Sequence, residues 1–323
     1  MEKADAAPAA PADEPRGPRR DRLLLVFADG VGLGAEEPTN PFVSEPTPAL
    51  SALLDGPLTR ARVEAPRRAA ALPVVLAAVD AVLGVPGLPQ SATGQTTLFT
   101  GRNAQAAIGH HVPALPGPRL RALLTAHSVV KTVAGAGLES TFANAYTADY
   151  ATRLGNGEVR ASATTWAVLA AGVPLRTLDD LAAGEAVPWD VTGDLFVRRA
   201  GVAVEPIAPR LAGERLAALA GRHRFTLYET FLTDLAGHGR WGITPARAIE
   251  RLDGLVDGVL AARPPDLTLL LTSDHGNLEE PWHKSHTTNP VPLLAVGPAA
   301  EAFAGITRLD EVAPRIRGVL GVG

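Results

Sequence analysis

The chain has 323 residues, 46% hydrophobic and 20% charged, enough apolar material for one substantial core and a small addition to it. A net charge of -4, with no basic tract interleaved with aromatics, argues against a nucleic-acid partner. Cysteine is absent, so disulfides, iron-sulfur clusters and soft copper sites drop out, and any metal must be held by nitrogen and oxygen.

Residues 1–21 are rich in Ala, Pro and charge and read as a disordered tail. They lack the apolar core of a signal peptide, and no later stretch reaches the length of a membrane span, so the expected location is the cytoplasm with no membrane partner. Residues 22–28 read as a buried strand that delivers Asp29 into the turn Gly30-Val31-Gly32. Gly30, Gly32 and Gly34 do not make a dinucleotide fingerprint, because the proline-punctuated segment 35–48 cannot open directly into a helix. Ser91 and Thr93 lie at the start of an apolar, helix-like segment, where a hydroxyl would sit near amide donors and a positive helix end. The bland reading of either is an N-cap.

Residues 119–136 read as one helix and 140–145 as a strand, with Asn144 and Tyr146 at its end. The 150–194 stretch is less regular, and its Gly155-Asn156-Gly157 looks like a hairpin, so a small cap or lid is expected within about 104–208. Residues 224–232 form another strand, followed by Asp234 and His238 across a short turn. The 244–261 stretch has a helical apolar stripe, with Thr244 as N-cap and Pro245 in its first turn. After a last apolar run, 266–271, come Asp274-His275-Gly276-Asn277 and then His286. Each candidate ligand taken singly is as well explained as a loop residue. Their recurrence just after strands, at the edge where open α/β sheets bind ligands, points to a metal site. Strand-like and helix-like segments alternate, which implies a mostly parallel sheet with helices on both faces. The set of carboxylates and imidazoles overfills one tetrahedral ion and asks for two.

These segments resemble the alkaline phosphatase superfamily, and most of all its branch of cofactor-independent phosphoglycerate mutases and phosphopentomutases. The resemblance covers the chain up to Arg102 and again from Arg224 to Gly297. It implies an α/β, alkaline-phosphatase-like fold with a small cap over residues 22–323. It also implies one divalent ion on Asp234, His238 and His286, a second on Asp29, Asp274, His275 and the Ser91 oxygen, and Ser91 as nucleophile. Nitrogen and oxygen ligands suit Mn or Zn. Gln95 stands where that branch usually has His, and the arginine-rich substrate motif of the phosphoglycerate mutases is missing. The expected activity is therefore hydrolysis of a small phosphate ester, as a phosphatase or phosphodiesterase with a phosphoserine intermediate. Phosphomutase activity is the alternative, and a metal-binding regulatory protein without turnover the second. Candidate substrate contacts are His110, His111, Arg153, Arg160 and Lys284, the arginines for their phosphate-matching forks.

Overall fold

The computed structural model describes residues 21–63, 67–69 and 71–323. The expected tail thus lies outside the described residues except for Asp21.

Seven strands form one sheet: β1 (Arg22–Ala28), β2 (Arg67–Ala69), β3 (Leu72–Val79), β4 (Ser140–Phe142), β5 (Phe225–Thr230), β6 (Leu267–Thr272) and β7 (Val291–Val296), in the order β2-β3-β7-β6-β1-β5-β4. The four strands β6-β1-β5-β4 pair in parallel, and β2, β3 and β7 add an antiparallel side. The expected α/β class therefore holds, with the parallel character confined to one half. β1 shows why the sheet is central. Its side chains alternate between two apolar layers, Leu24, Val26 and Ala28 on one face and Leu23, Leu25 and Phe27 on the other, so both faces must be covered by helices.

Sequence expectation and structure differ locally in three places. The helix expected over 119–136 is two helices, Pro118–His127 and Val129–Gly135, because Ser128 adopts extended backbone and its hydroxyl accepts the Lys131 N–H as an N-cap. Gly155-Asn156-Gly157 ends the helix Tyr150–Gly155 rather than turning a hairpin. The turn expected between Asp234 and His238 is the short helix Leu232–Gly237, whose pitch brings the two side chains onto one face.

Much of the 104–208 range belongs to the core. Leu124, Val129, Val133, Phe142 and Val168 pack under the sheet. A separate small cluster, with Leu181, Ala186 and Phe196 at its centre, lies beyond the end of β4. It is tied down by Arg251 of the helix Pro245–Ala262. The Arg251 guanidinium is buried, donates to the Asp190 carbonyl at 3.1 Å and lies 2.7 Å from Asp194 Oδ1.

Candidate metal centre

The candidate ligands converge at the carboxyl ends of β1, β5 and β6. Asp29 follows β1 directly, and its N–H donates to the Thr230 carbonyl at the end of β5. Ser91 is the first residue of the helix Ser91–Thr100. That helix abuts the Asp274 loop through Gly94, where a Cβ would lie 2.7 Å from the Asp274 carbonyl oxygen. The amides expected to greet a ligand at this helix end are already engaged, since Ala92 N and Thr93 N donate to the Val112 carbonyl at 3.1 and 3.4 Å. Thr93 is fully buried, and its hydroxyl donates to the Gln90 carbonyl and accepts the Val112 N–H. Of the two hydroxyls Ser91 is the one that opens onto the cleft.

Two clusters of possible ligand atoms form, Asp234, His238 and His286 in one and Asp29, Asp274 and His275 in the other. In the first, His238 Nε2 is 3.3 Å from Asp234 Oδ1 and 3.2 Å from His286 Nε2. The Nδ1 atoms of both rings face backbone carbonyls, Lys284 O at 3.0 Å and Pro89 O at 2.7 Å. With a proton on each Nδ1, the two Nε2 lone pairs and the Asp234 carboxylate point at one another. Only a proton or a cation can resolve that arrangement. In the second cluster His275 Nε2 lies 3.2 Å from Asp29 Oδ1, 3.6 Å from Asp274 Oδ2 and 3.0 Å from Ser91 Oγ. The clusters are contiguous, because the His275 and His286 rings stack at 3.7 Å.

Electrostatics tell the same story. Asp274 and Asp29 are buried, and His275 and Gln95 approach their carboxylates without filling their acceptor capacity. Burial, followed by the neighbouring charge of Asp274, raises Asp29 well above the usual carboxylate range, and burial likewise raises Asp274. Burial opposes charge on His275, but Asp274 and Asp29 outweigh it and raise the ring to about 10. Burial and the charge of His275 lower His286 to about 4. Asp234 is held below the usual range, because the His238 hydrogen bond overcomes its burial. Buried carboxylates with unfilled acceptor capacity are costly, and cations repay that cost. The donor set fits two divalent ions held by oxygen and imidazole nitrogen.

Sequence reasoning missed the residue that ties these loops together. Glu279 is buried and accepts Gly32 N and Asn277 N, each at 2.9 Å, Asn289 Nδ2 at 3.0 Å, and the Thr287 hydroxyl. These donors adjoin Asp29, His275 and His286. Its signal was an acidic residue two positions after Asn277, easily passed over as a loop charge. Of the expected substrate contacts, Arg153 borders a neighbouring cavity but is exposed and paired with Asp149 and Glu158. His111 contacts the Val85 carbonyl at 3.0 Å, and His110 and Arg160 are exposed away from the cleft. Lys284 contributes its carbonyl to His238. The cleft over the clusters, about 410 Å³, is lined instead by Ser162, Trp189, Arg199, Phe231 and Trp241 as well as Ser91. No sequence spacing announced these, because they meet only through the tertiary fold.

Comparison with known proteins agrees with this geometry. Residues 212–322 match the Metalloenzyme superfamily. A 2,3-bisphosphoglycerate-independent phosphoglycerate mutase from Serratia proteamaculans is 32% identical over 127 residues, 36% of this chain and 24% of the mutase. One from Rhodopseudomonas palustris is 34% identical over 149 residues, 41% of this chain and 29% of the mutase. The matched stretch thus spans about a quarter of the length of these relatives. Among solved structures, the alkaline phosphatase from the Antarctic bacterium TAB5 superposes with a TM-score of 0.53 at 14% identity, over 93% of this chain and 98% of that one. The C-terminal periplasmic domain of EcEptC from Escherichia coli, a zinc complex, gives 0.51 at 12% identity, over 95% and 84%. The fold is alkaline-phosphatase-like, and residues 212–322 carry the metalloenzyme match.

Proposed function

We propose that this chain is a two-metal phosphoryl-transfer enzyme that hydrolyses a small phosphate ester through a phosphoserine at Ser91. The observation that carries the reading is Ser91 Oγ, 3.0 Å from His275 Nε2 and open to the cleft, beside the buried carboxylates of Asp29 and Asp274. Asp234, His238 and His286 would hold one divalent ion, and Asp29, Asp274, His275 and Ser91 the other, with Mn or Zn as the metals suited to these donors. When bound, the ions would neutralise charge on the attacking and leaving oxygens of an in-line displacement.

Ser91 Oγ adds to phosphorus as the ester P–O bond breaks. The departing oxygen takes the electron pair and a proton from solvent, and the serine proton passes to solvent. Water then adds to the phosphoserine phosphorus, releasing phosphate and restoring the hydroxyl. The small cluster around Leu181 and Phe196 acts as the cap, and its limited size supports water as acceptor. No helix among the described residues is long and apolar enough to cross a membrane.

Ser91→Ala should lower turnover of an aryl phosphate by about a thousandfold or more while keeping the fold and most bound metal. Near-normal turnover in that variant would remove Ser91 from the role. The mutase matches favour a second reading, transfer of the phosphoryl group to another hydroxyl of the same substrate. Incubation with 3-phosphoglycerate and with pentose phosphates separates the two, since a positional isomer formed without phosphate release would replace hydrolysis by mutase chemistry.

A further inference from the structure

A second cavity of about 630 Å³ adjoins the metal cleft, and Trp189, Arg199 and Phe231 line both. Its walls are rings. Tyr146 and Tyr150 lie 4.5 Å apart between centroids, Trp189 and Phe231 lie 6.1 Å apart, and Phe196 closes the cap side. At the junction stands Glu229, the penultimate residue of β5 and only 1% exposed. Its Oε1 accepts the Ser162 hydroxyl at 3.3 Å, and its Oε2 faces Thr164 without a well-formed hydrogen bond. Ser162 itself faces the metal cleft, so this carboxyl sits where a substrate would pass from one cavity to the other.

We propose that this cavity is the leaving-group subsite, and that it takes a flat unsaturated ring on the alcohol of the phosphate ester, with a hydrogen-bonding group of that alcohol facing Glu229. The proposal rests on the phosphoryl-transfer reading above and names its substrate class. Rings stack well on such walls, and a volume of this size is ordinary for a ligand site. Burial raises the Glu229 carboxyl to about 8, so near neutral pH it can donate as well as accept. A short acid such as glycerate fits poorly. It would leave the ring walls without a partner, and the Arg153 guanidinium at this cavity already pairs with Asp149 and Glu158.

The test compares methylphosphonate with 2-phenylethylphosphonate, which cannot be hydrolysed, by calorimetry on the manganese-loaded full chain. The ring should tighten binding at least tenfold, about 1.4 kcal/mol. Trp189→Ala and Tyr150→Ala should each erase most of that gain, and Tyr150→Ala, whose ring lines only the second cavity, should leave methylphosphonate unchanged. Tyr150 is only half-buried, so its variant carries the test if Trp189→Ala does not fold. Equal affinities, binding of neither compound, or a ring preference untouched by the substitutions would overturn the subsite. Release of phosphate from methyl phosphate by the same preparation reads the underlying reaction separately. Cleavage without a ring effect sinks only the subsite, and a ring effect without cleavage sinks only the reaction.

Discussion

Individual donors in this centre are aimed by groups that do not themselves face the cleft. Pro89 and Lys284 use their carbonyls to orient two imidazoles, and Glu279 uses one carboxylate to fix three loops. Replacing Glu279 with Ala would leave the Gly32 and Asn277 amides buried without acceptors and free the loops to drift. Divalent metal affinity should then fall about 10- to 100-fold, measured by competition with a chromogenic chelator, and Glu279→Gln should lose less. Unchanged affinity in the alanine variant would make Glu279 a bystander. Glu229 has a different signature, because burial raises it from 4.5 to about 8. Below the unfolded value both states hold the proton. Between roughly pH 4.5 and 8 the unfolded chain ionises alone, so this group costs the fold up to ~1.4 kcal/mol per pH unit as pH rises. Urea unfolding of chelated protein across that window should show Glu229→Gln gaining on the parent chain as pH rises and levelling off above 8. Parallel curves for the two proteins would contradict the buried, protonated carboxyl.

Elements rather than single residues decide how the cap meets the core. Arg251 projects from the helix Pro245–Ala262 into the turn before the helix Asp194–Ala200, where Asp190 already accepts the amides of Gly193, Leu195 and Phe196. Arg251→Ala would leave the buried Asp190 without its cation and Asp194 with Arg247 alone. The cost should be about 3 kcal/mol, seen as a lower urea midpoint, and substrate affinity should weaken because Phe196 and Arg199 ride on the same helix. A midpoint within error of the parent would show the cap held by its apolar contacts alone. This element also marks where the sequence stops being readable. The β1, β5 and β6 ends were legible because an apolar run followed by Asp or His is a local pattern, and Asp29, Asp234, Asp274 and His275 all fall there. β3 was not picked out, and the cap was placed only as a broad range. The walls of the cleft, Ser162, Trp189, Phe231 and Trp241, come from separate segments that only the folded chain brings together.

At the scale of the whole molecule, metal binding at these clusters would form one equilibrium with folding. The candidate ligands run from Asp29 to His286, so neither cluster is complete until the central strands have paired. The folded chain without ions carries Asp29 and Asp274 buried side by side with only His275 to balance both, a penalty the unfolded chain escapes. Ions that bind only the folded form reverse this, by about 2.7 kcal/mol per site at a hundredfold excess over Kd. For a domain of this size that corresponds to a rise in Tm of about 5 °C per filled site. Asp274→Asn separates the two contributions. It should melt above the parent chain in chelator, because one of two crowded buried carboxylates is gone while Asp29 still faces His275, and below it in saturating manganese or zinc, because one site has lost an anionic ligand. The crossing of the two melting series is the informative outcome. If the parent chain melts at the same temperature with chelator and with metal, the paired clusters are not ion sites, and His275 balances the Asp274 carboxylate without an ion.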